Sequence, residues 1–318
     1  MPGLNDLAHK LFIHGRENAA GLGIEVHSLP NGTNVLDMGL ACQGSPEAGL
    51  LYAAITMGGL GKLSLGEMRI SGYSFTRVDV FTAEPVLACL GSQVAGWQLS
   101  SGGNNALGSG PARLLARLPK DECVSYVGSY HEEADSAVLC LQMVTMPTVA
   151  ITEEIAARCG IKPETLYLCV APSQSLVGAI QVAARSIEAA IYQLSRKGFP
   201  VQKITFARGS APLAPLIKDE IQAMGRINDS LLYGATVEFW ADVEDTVLER
   251  ISPQVVTCNS PACGKGFTTI YREAGCNFYA IDHNVHTVAR VEMRNINTGR
   301  TFAAGVLDSE MLLKSFLS

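Results

Sequence analysis

The sequence predicts a mixed α/β fold, and three observations carry that expectation. From residue 137 onward, apolar runs of strand length alternate with segments of helical periodicity. The first part of the chain holds a hairpin pattern, a further strand and helices that glycine or proline punctuates. No internal repeat or low-complexity tract interrupts it, and 318 residues suffice for two domains, or one large intertwined unit, around a sizeable core.

Residues 5–20 read as an opening helix. Over 23–40, Ile24 and Val26 alternate with polar neighbours, Asn31-Gly32 offers turn positions and Val35-Leu36 returns, a hairpin pattern. Residues 45–57 read as a helix stopped by Gly58-Gly59, and 74–83 as a strand with Phe75, Val78, Val80 and Phe81 as its apolar members. Glu84-Pro85 opens another helix, proline being tolerated in a first turn. Residues 100–105, Ser-Ser-Gly-Gly-Asn-Asn, have the most flexible composition and lead through 108–113 into a helix. Strand 137–144 precedes helix 152–159, with Thr152 as N-cap and Gly160 at its end. Strand 165–171 precedes one long helix, 175–197, stopped by Gly198 and Pro200. Strand 204–207, helix 213–224, strand 235–241 and helix 243–251 follow, then a turn at 264–266, a hairpin around 297–299 and a short terminal helix.

Apolar residues make up 47% of the chain and charged ones 17%, against about 25% charged in an average soluble protein. A well-buried globule, or an oligomer hiding more surface, is expected. A net charge of −6 with no block of five like charges argues against nucleic acid as a partner. The longest apolar stretches, such as 166–172, are too short to span a bilayer, and no basic-then-apolar leader opens the chain, so a cytoplasmic protein without membrane association is expected. Nine cysteines, an odd number scattered through apolar segments, read as buried free thiols in a reducing compartment. Cys258, Cys263 and Cys276 near His283 and His286 are the one local gathering of metal-ligand types. Their spacing fits no common zinc pattern, so no metal is assigned.

The familiar catalytic signatures are missing. No Gly-x-Gly-x-x-Gly opens a helix after a strand, and Gly61-Lys62 and Gly264-Lys265 lack the flanking residues of a phosphate-binding P-loop. There is no Gly-x-Ser-x-Gly elbow and no His-Glu-x-x-His. Four constellations remain. In 175–197, Leu176, Ile180, Ala183, Ile187, Ile191 and Leu194 form one buried stripe, with Gln181, Arg185, Glu188 and Tyr192 along its flank. Arg185 and Glu188 are three apart and so can meet. By periodicity the pair is either an ordinary surface ion pair or a carboxylate held by a guanidinium to act as a base toward water. The run 106–113 puts glycines and Pro111 at a helix entry, where a ligand can approach backbone N–H groups or an ordinary turn can form. Asn228 and Asp229, within 225–234, either read a heterocycle or cap a turn, and local composition favours the turn. Lys265, in 264–267, is a single cation that reads as solvated.

Together these segments resemble the methenyltetrahydromethanopterin cyclohydrolase family. The residues that carry the resemblance are 57–60, 106–113, 171–172 with 175–178, and Gln181-Val182 with Arg185 and Glu188. To them belong 225–234, Gly264-Lys265 with Phe267, Phe278-Tyr279 with Ile281-Asp282, and 298–300. They run in order from about residue 20 to the C-terminus. The resemblance implies two intertwined α/β domains with the active-site pocket between them and a homotrimer. Within one catalytic unit, the subdomains are placed at about 1–100 plus 275–318 and 101–274. It further implies reversible hydrolysis of 5,10-methenyltetrahydromethanopterin to the 5-formyl form, with the pterin as substrate and no separate cofactor, a reaction that serves both methane formation and formaldehyde oxidation.

Arg185 and Glu188 match the catalytic pair: Glu188 would take the water proton, and Arg185 would orient it and keep it ionised. Ser109, Gly110, Pro111, Ala112, Gln181, Asn228, Asp229 and Lys265 are the expected substrate-binding residues. Two rivals stand beside this reading: a non-catalytic pterin-binding module, and a phosphate-ligand enzyme using Lys265 and the helix start at Pro111.

Overall fold

The computed structural model describes residues 3–101, 104–119, 121–128 and 130–318. Its strands are β1 (Glu25–Ser28), β2 (Asn34–Asp37), β3 (Lys62–Ile70), β4 (Tyr73–Thr82), β5 (Trp97–Ser101), β6 (Asn104–Ser109), β7 (Ala137–Gln142), β8 (Leu166–Ala171), β9 (Ile204–Pro212), β10 (Thr236–Ala241), β11 (Arg290–Asn295) and β12 (Thr301–Gly305). The expected α/β class holds, with two six-stranded mixed sheets, ordered β1-β2-β8-β7-β6-β5 and β12-β11-β10-β9-β4-β3. The chain divides into two compact units, residues 1–61 with 87–181 and residues 62–86 with 182–318. This division differs from the expected subdomains: residues 62–86, which hold β3 and β4, and 275–318 belong to the second unit, and 101–181 belongs to the first.

In the first unit, β2, β8 and β7 run parallel and are covered on both faces. That is why 137–142 and 166–171 read as continuous apolar runs. Ala137, Leu139 and Leu141 of β7 pack with Trp97, Ile151, Ile155 and Leu168, while Val138 and Cys140 point the other way, toward Phe12, Leu36, Tyr52 and Val177. The helix Pro46–Thr56 starts as expected: Ser45 accepts the Ala48 N–H at 3.0 Å and Pro46 occupies the first turn.

In the second unit, β9, β10 and β11 bury Ala207, Val237, Phe239, Val291 and Met293 on one face. The opposite face carries the Arg294–Glu238 and Arg290–Glu292 pairs and the stacked rings of Phe206 and Trp240. This one-sided burial produces the alternating pattern of those strands.

Several expectations needed correction. Helix 175–197 is two helices, Leu176–Ala183 and Ser186–Arg196. At the break Arg185 has φ −91° and ψ 9°, and its N–H donates to the Val182 carbonyl three residues back. No proline or glycine marks this turn, so the apolar periodicity ran through it. Helix 152–159 begins earlier, at Val149, with Thr148 accepting the Ile151 N–H; Thr152 lies inside and bonds Val149 and Asn31.

Helix 213–224 is displaced to Glu220–Gly234. Asp219 caps it, and β9 takes 204–212 where four strand residues were expected. Residues 225–234 are therefore helical and not a turn. Val86–Gln93 winds as a wider π-helix. The residues on either side of 102–103 pair as β5 and β6, and Gly102-Gly103 themselves lie outside the described residues. Six cysteines are buried or half-buried, but Cys258, Cys263 and Cys276 are exposed.

Candidate active site

The helix Ser186–Arg196 presses its start against β9. A Cβ on Gly209 of β9 would lie 2.3 Å from Ser186 Oγ and 2.9 Å from Ile187 Cγ1, so only glycine lets the helix approach this closely. That contact seats the turn holding Arg185 and the first helical turn holding Glu188. Arg185 Nη1 and Glu188 Oε2 are 4.0 Å apart, an ion pair beyond hydrogen-bond range. Their side chains are only 11% and 15% exposed. A negative charge in a first turn is favoured by the helix dipole, by about 0.3–1 kcal/mol. One turn on, the Tyr192 hydroxyl lies 2.7 Å from His283 Nδ1.

Gln181 belongs to a buried polar chain in the first unit. Its Nε2 donates to Gln142 Oε1 at 2.9 Å, and Gln142 Nε2 donates to Ser173 Oγ at 2.7 Å. Gln142 ends β7, and Ser173 follows β8. The chain thus lies at the carboxyl ends of two adjacent parallel strands, where open α/β sheets commonly bind ligands.

The other predicted binding residues divide between the units, Ser109 to Ala112 in the first and Asn228, Asp229 and Lys265 in the second. Ser109 to Ala112 lie beside β7, where Ser109 registers with Cys140. Gly110 has φ 130° and donates its N–H to Ser92, and the Pro111 carbonyl accepts from Asn5. The register sets Ser109 two residues, about 7 Å, along β7 from Gln142. The helix it enters, Ala112–Ala116, is only five residues long. Its Arg113 is wholly buried, paired with Asp121 and donating to the carbonyls of Leu90, Gly91 and Ser92.

Asp229 and Lys265 meet at the helix Phe267–Glu273, while Asn228 bonds within its own helix. Asp229 accepts the Phe267 N–H at 2.7 Å and the Ser315 hydroxyl at 2.7 Å, and burial pushes its carboxyl up to about 6. Asn228 donates to Met224 O. Lys265 pairs with Glu273 at 3.1 Å, and its carbonyl accepts from Tyr233.

Among the described residues, Glu25, His27 and Asp37 are the one group of three metal-ligand types within 4.8 Å. The buried Asp37 carboxylate already accepts the N–H groups of Gly39, Leu40 and Ala41, which accounts for it as a loop brace. Sequence reasoning did not select Gln142, Ser173 or His283 as site residues. Each reaches its partner across 31 to 91 positions of chain, with no local periodicity to announce it.

A carboxylate with a guanidinium beside it is chemically able to assist water as a general base. The chain belongs to the cyclohydrolase (MCH) family, whose model matches residues 3–316. It is 37% identical to methenyltetrahydromethanopterin cyclohydrolase of Methanocorpusculum labreanum, over 99% of both chains. The same name belongs to a Methanothermobacter marburgensis relative, 37% identical over 99% of both chains. It also belongs to one from Methanocaldococcus jannaschii, 38% identical over 94% of this chain and 93% of its own. No helix among the described residues is long and apolar enough to cross a membrane.

Proposed function

We propose that this chain catalyses the reversible hydrolysis of 5,10-methenyltetrahydromethanopterin to the 5-formyl form. The observation that carries the reading is the Arg185–Glu188 pair at the start of a helix, in a chain of this family. The methenyl carbon belongs to a cationic amidinium-type ring and is already electrophilic. Catalysis then needs a positioned water, an acceptor for its proton and groups that hold the pterin. Glu188 takes the proton, and its charge also favours a cationic substrate. Arg185, with its guanidinium 4.0 Å away, holds the carboxylate in orientation. Base assistance of this kind supplies about 10²- to 10⁴-fold in rate.

Gln181, braced through Gln142 and Ser173, suits a contact to polar edges of the pterin. Ser109 to Ala112, Asn228, Asp229 and Lys265 complete the proposed binding set. The internal bonds of Gly110, Pro111 and Asp229 fit them for shaping backbone more than for free side-chain readout. The assembly is read as a homotrimer acting in the cytoplasm, which native mass measurement and cell fractionation check. For the activity, purified protein should accelerate loss of the methenyl chromophore. Glu188→Gln should remain folded while losing at least about 10²-fold in kcat. Binding of the cofactor with no acceleration by the wild-type protein overturns the proposal.

A further inference from the structure

Between Ser186 and Arg196, only Glu188, Tyr192 and Arg196 are not buried. They repeat every four residues, so this helix shows one line of side chains to its surroundings. Midway along the line the Tyr192 hydroxyl meets His283 Nδ1 at 2.7 Å. Gln193 Nε2 donates to the main-chain oxygen of His283 and pins the turn His283–Val285 to the helix. His283 itself is exposed.

Adding water to a cationic methenyl ring gives a neutral formyl product and releases one proton. The carboxyl that receives the proton must lose it before the next turnover. We propose that Tyr192 and His283 form the exit for the proton that Glu188 takes from water, an inference that rests on the role of Glu188 given above. Side chains four apart on a helix have Cβ atoms about 5–6 Å apart, close enough for transfer directly or through one water. The Glu188 O–H bond breaks as its proton passes toward the Tyr192 oxygen, and the phenol proton moves to His283 Nδ1. The resulting imidazolium gives a proton to buffer, and tautomer exchange through water restores the bare Nδ1. In the reverse reaction the same route delivers a proton.

The groups facing this route are Arg185, 4.0 Å from Glu188, and Asp282, Arg196 and His286. The Arg196 guanidinium lies 5.8 Å over the Tyr192 ring, and the His286 ring meets the Tyr192 edge at 6.4 Å. Burial, aided by the neighbouring His283, pushes His286 down to about 4, so it stays neutral and does not trap the proton. Asp282, adjacent in the chain, is held below the usual carboxylate range, first by the Asn284 N–H and also by the nearby His283 and Arg196, and so stays ionised beside the route.

The test compares Tyr192→Phe, His283→Gln and Glu188→Gln in the full-length protein. The rate of methenyl hydrolysis is followed against imidazole buffer concentration at fixed pH and ionic strength, with thermal unfolding as the check on folding. In dilute buffer, Tyr192→Phe and His283→Gln should lose about tenfold in kcat with KM unchanged, and added buffer should restore it. The wild-type rate should not depend on buffer. A kcat within about twofold of wild type in dilute buffer, or a loss that buffer does not restore, overturns the route. Glu188→Gln should stay inactive at every buffer concentration. If instead it keeps the wild-type rate, the reading of Glu188 fails and the route with it.

Discussion

Arg113 and Asp121 form a bidentate ion pair, Nε to Oδ2 at 2.8 Å and Nη2 to Oδ1 at 2.7 Å, with both side chains almost wholly removed from water. The remaining guanidinium nitrogen donates to three carbonyls of the wide helical turn at residues 90–92. In the sequence Arg113 ends a ligand-like glycine run; in the fold it fastens the hairpin and the π-helix together.

Removing one partner strands the other charge in the interior. Arg113→Met should therefore lower stability by about 3–5 kcal/mol, read by denaturant unfolding. Arg113→Met with Asp121→Leu should recover part of that loss. Equal stability of Arg113→Met and wild type would show that the pair contributes nothing.

Arg185→Gln tests the positioning of Glu188 directly. The variant should keep its fold and lose kcat by about tenfold or more, with a smaller change in KM. A change confined to KM would make Arg185 a binding group instead.

Asp229 links pH to stability. Its folded carboxyl is raised by burial from 3.8 to about 6, so between those values the folded state binds the extra proton. Its stabilising contribution is fully present below about pH 3.8 and is lost as pH rises through about 6. Asp229→Asn keeps an acceptor for the Phe267 N–H and does not titrate. The difference in unfolding free energy between wild type and variant should therefore move in the variant's favour between pH 4 and 6.

Gly225 faces Thr268, whose Oγ1 lies 1.9 Å from where a Cβ would stand. Gly225→Ala should cost about 1–3 kcal/mol in thermal or denaturant unfolding, despite alanine's better helix propensity. Most of the cost should disappear in a Thr268→Ala background. A cost that persists there would place the strain in the backbone.

The thiols should separate by reactivity. Cys258, Cys263 and Cys276 should react with a thiol reagent in the native protein. Cys159, raised to about 12 by burial, and Cys42, raised to about 11 by burial and then by Asp37, should react much more slowly. Denaturant should release the rest.

Much of this was legible in the chain because it is local. The Asn31-Gly32 hairpin, the Ser45-capped helix and the doubly buried strands β7 and β8 follow from spacing of two or three residues and from apolar continuity. The break before Ser186 was not, because no proline or glycine marks it, and the close approach of Ser186 to Gly209, 23 positions later, is a tertiary contact. The helix over 225–234 was missed for a related reason. Asn228 and Asp229 suggested a turn, yet they lie inside the helix, where Gly225 answers to Thr268 and Gly234 to Pro212, demands of close packing and not of chain reversal. Within the candidate site, the spacing of Arg185 and Glu188 was visible on one helical face. Partners such as His283 for Tyr192 exist only through tertiary contact.

The chain passes between its two compact units three times, at residues 61–62, 86–87 and 181–182. Neither unit is therefore a continuous stretch of gene. No single cut yields one whole sheet with all its strands, so a simple fusion of two ready-made modules cannot have produced this arrangement. Any attempt to graft one unit onto another scaffold must re-route the chain and not merely shorten it.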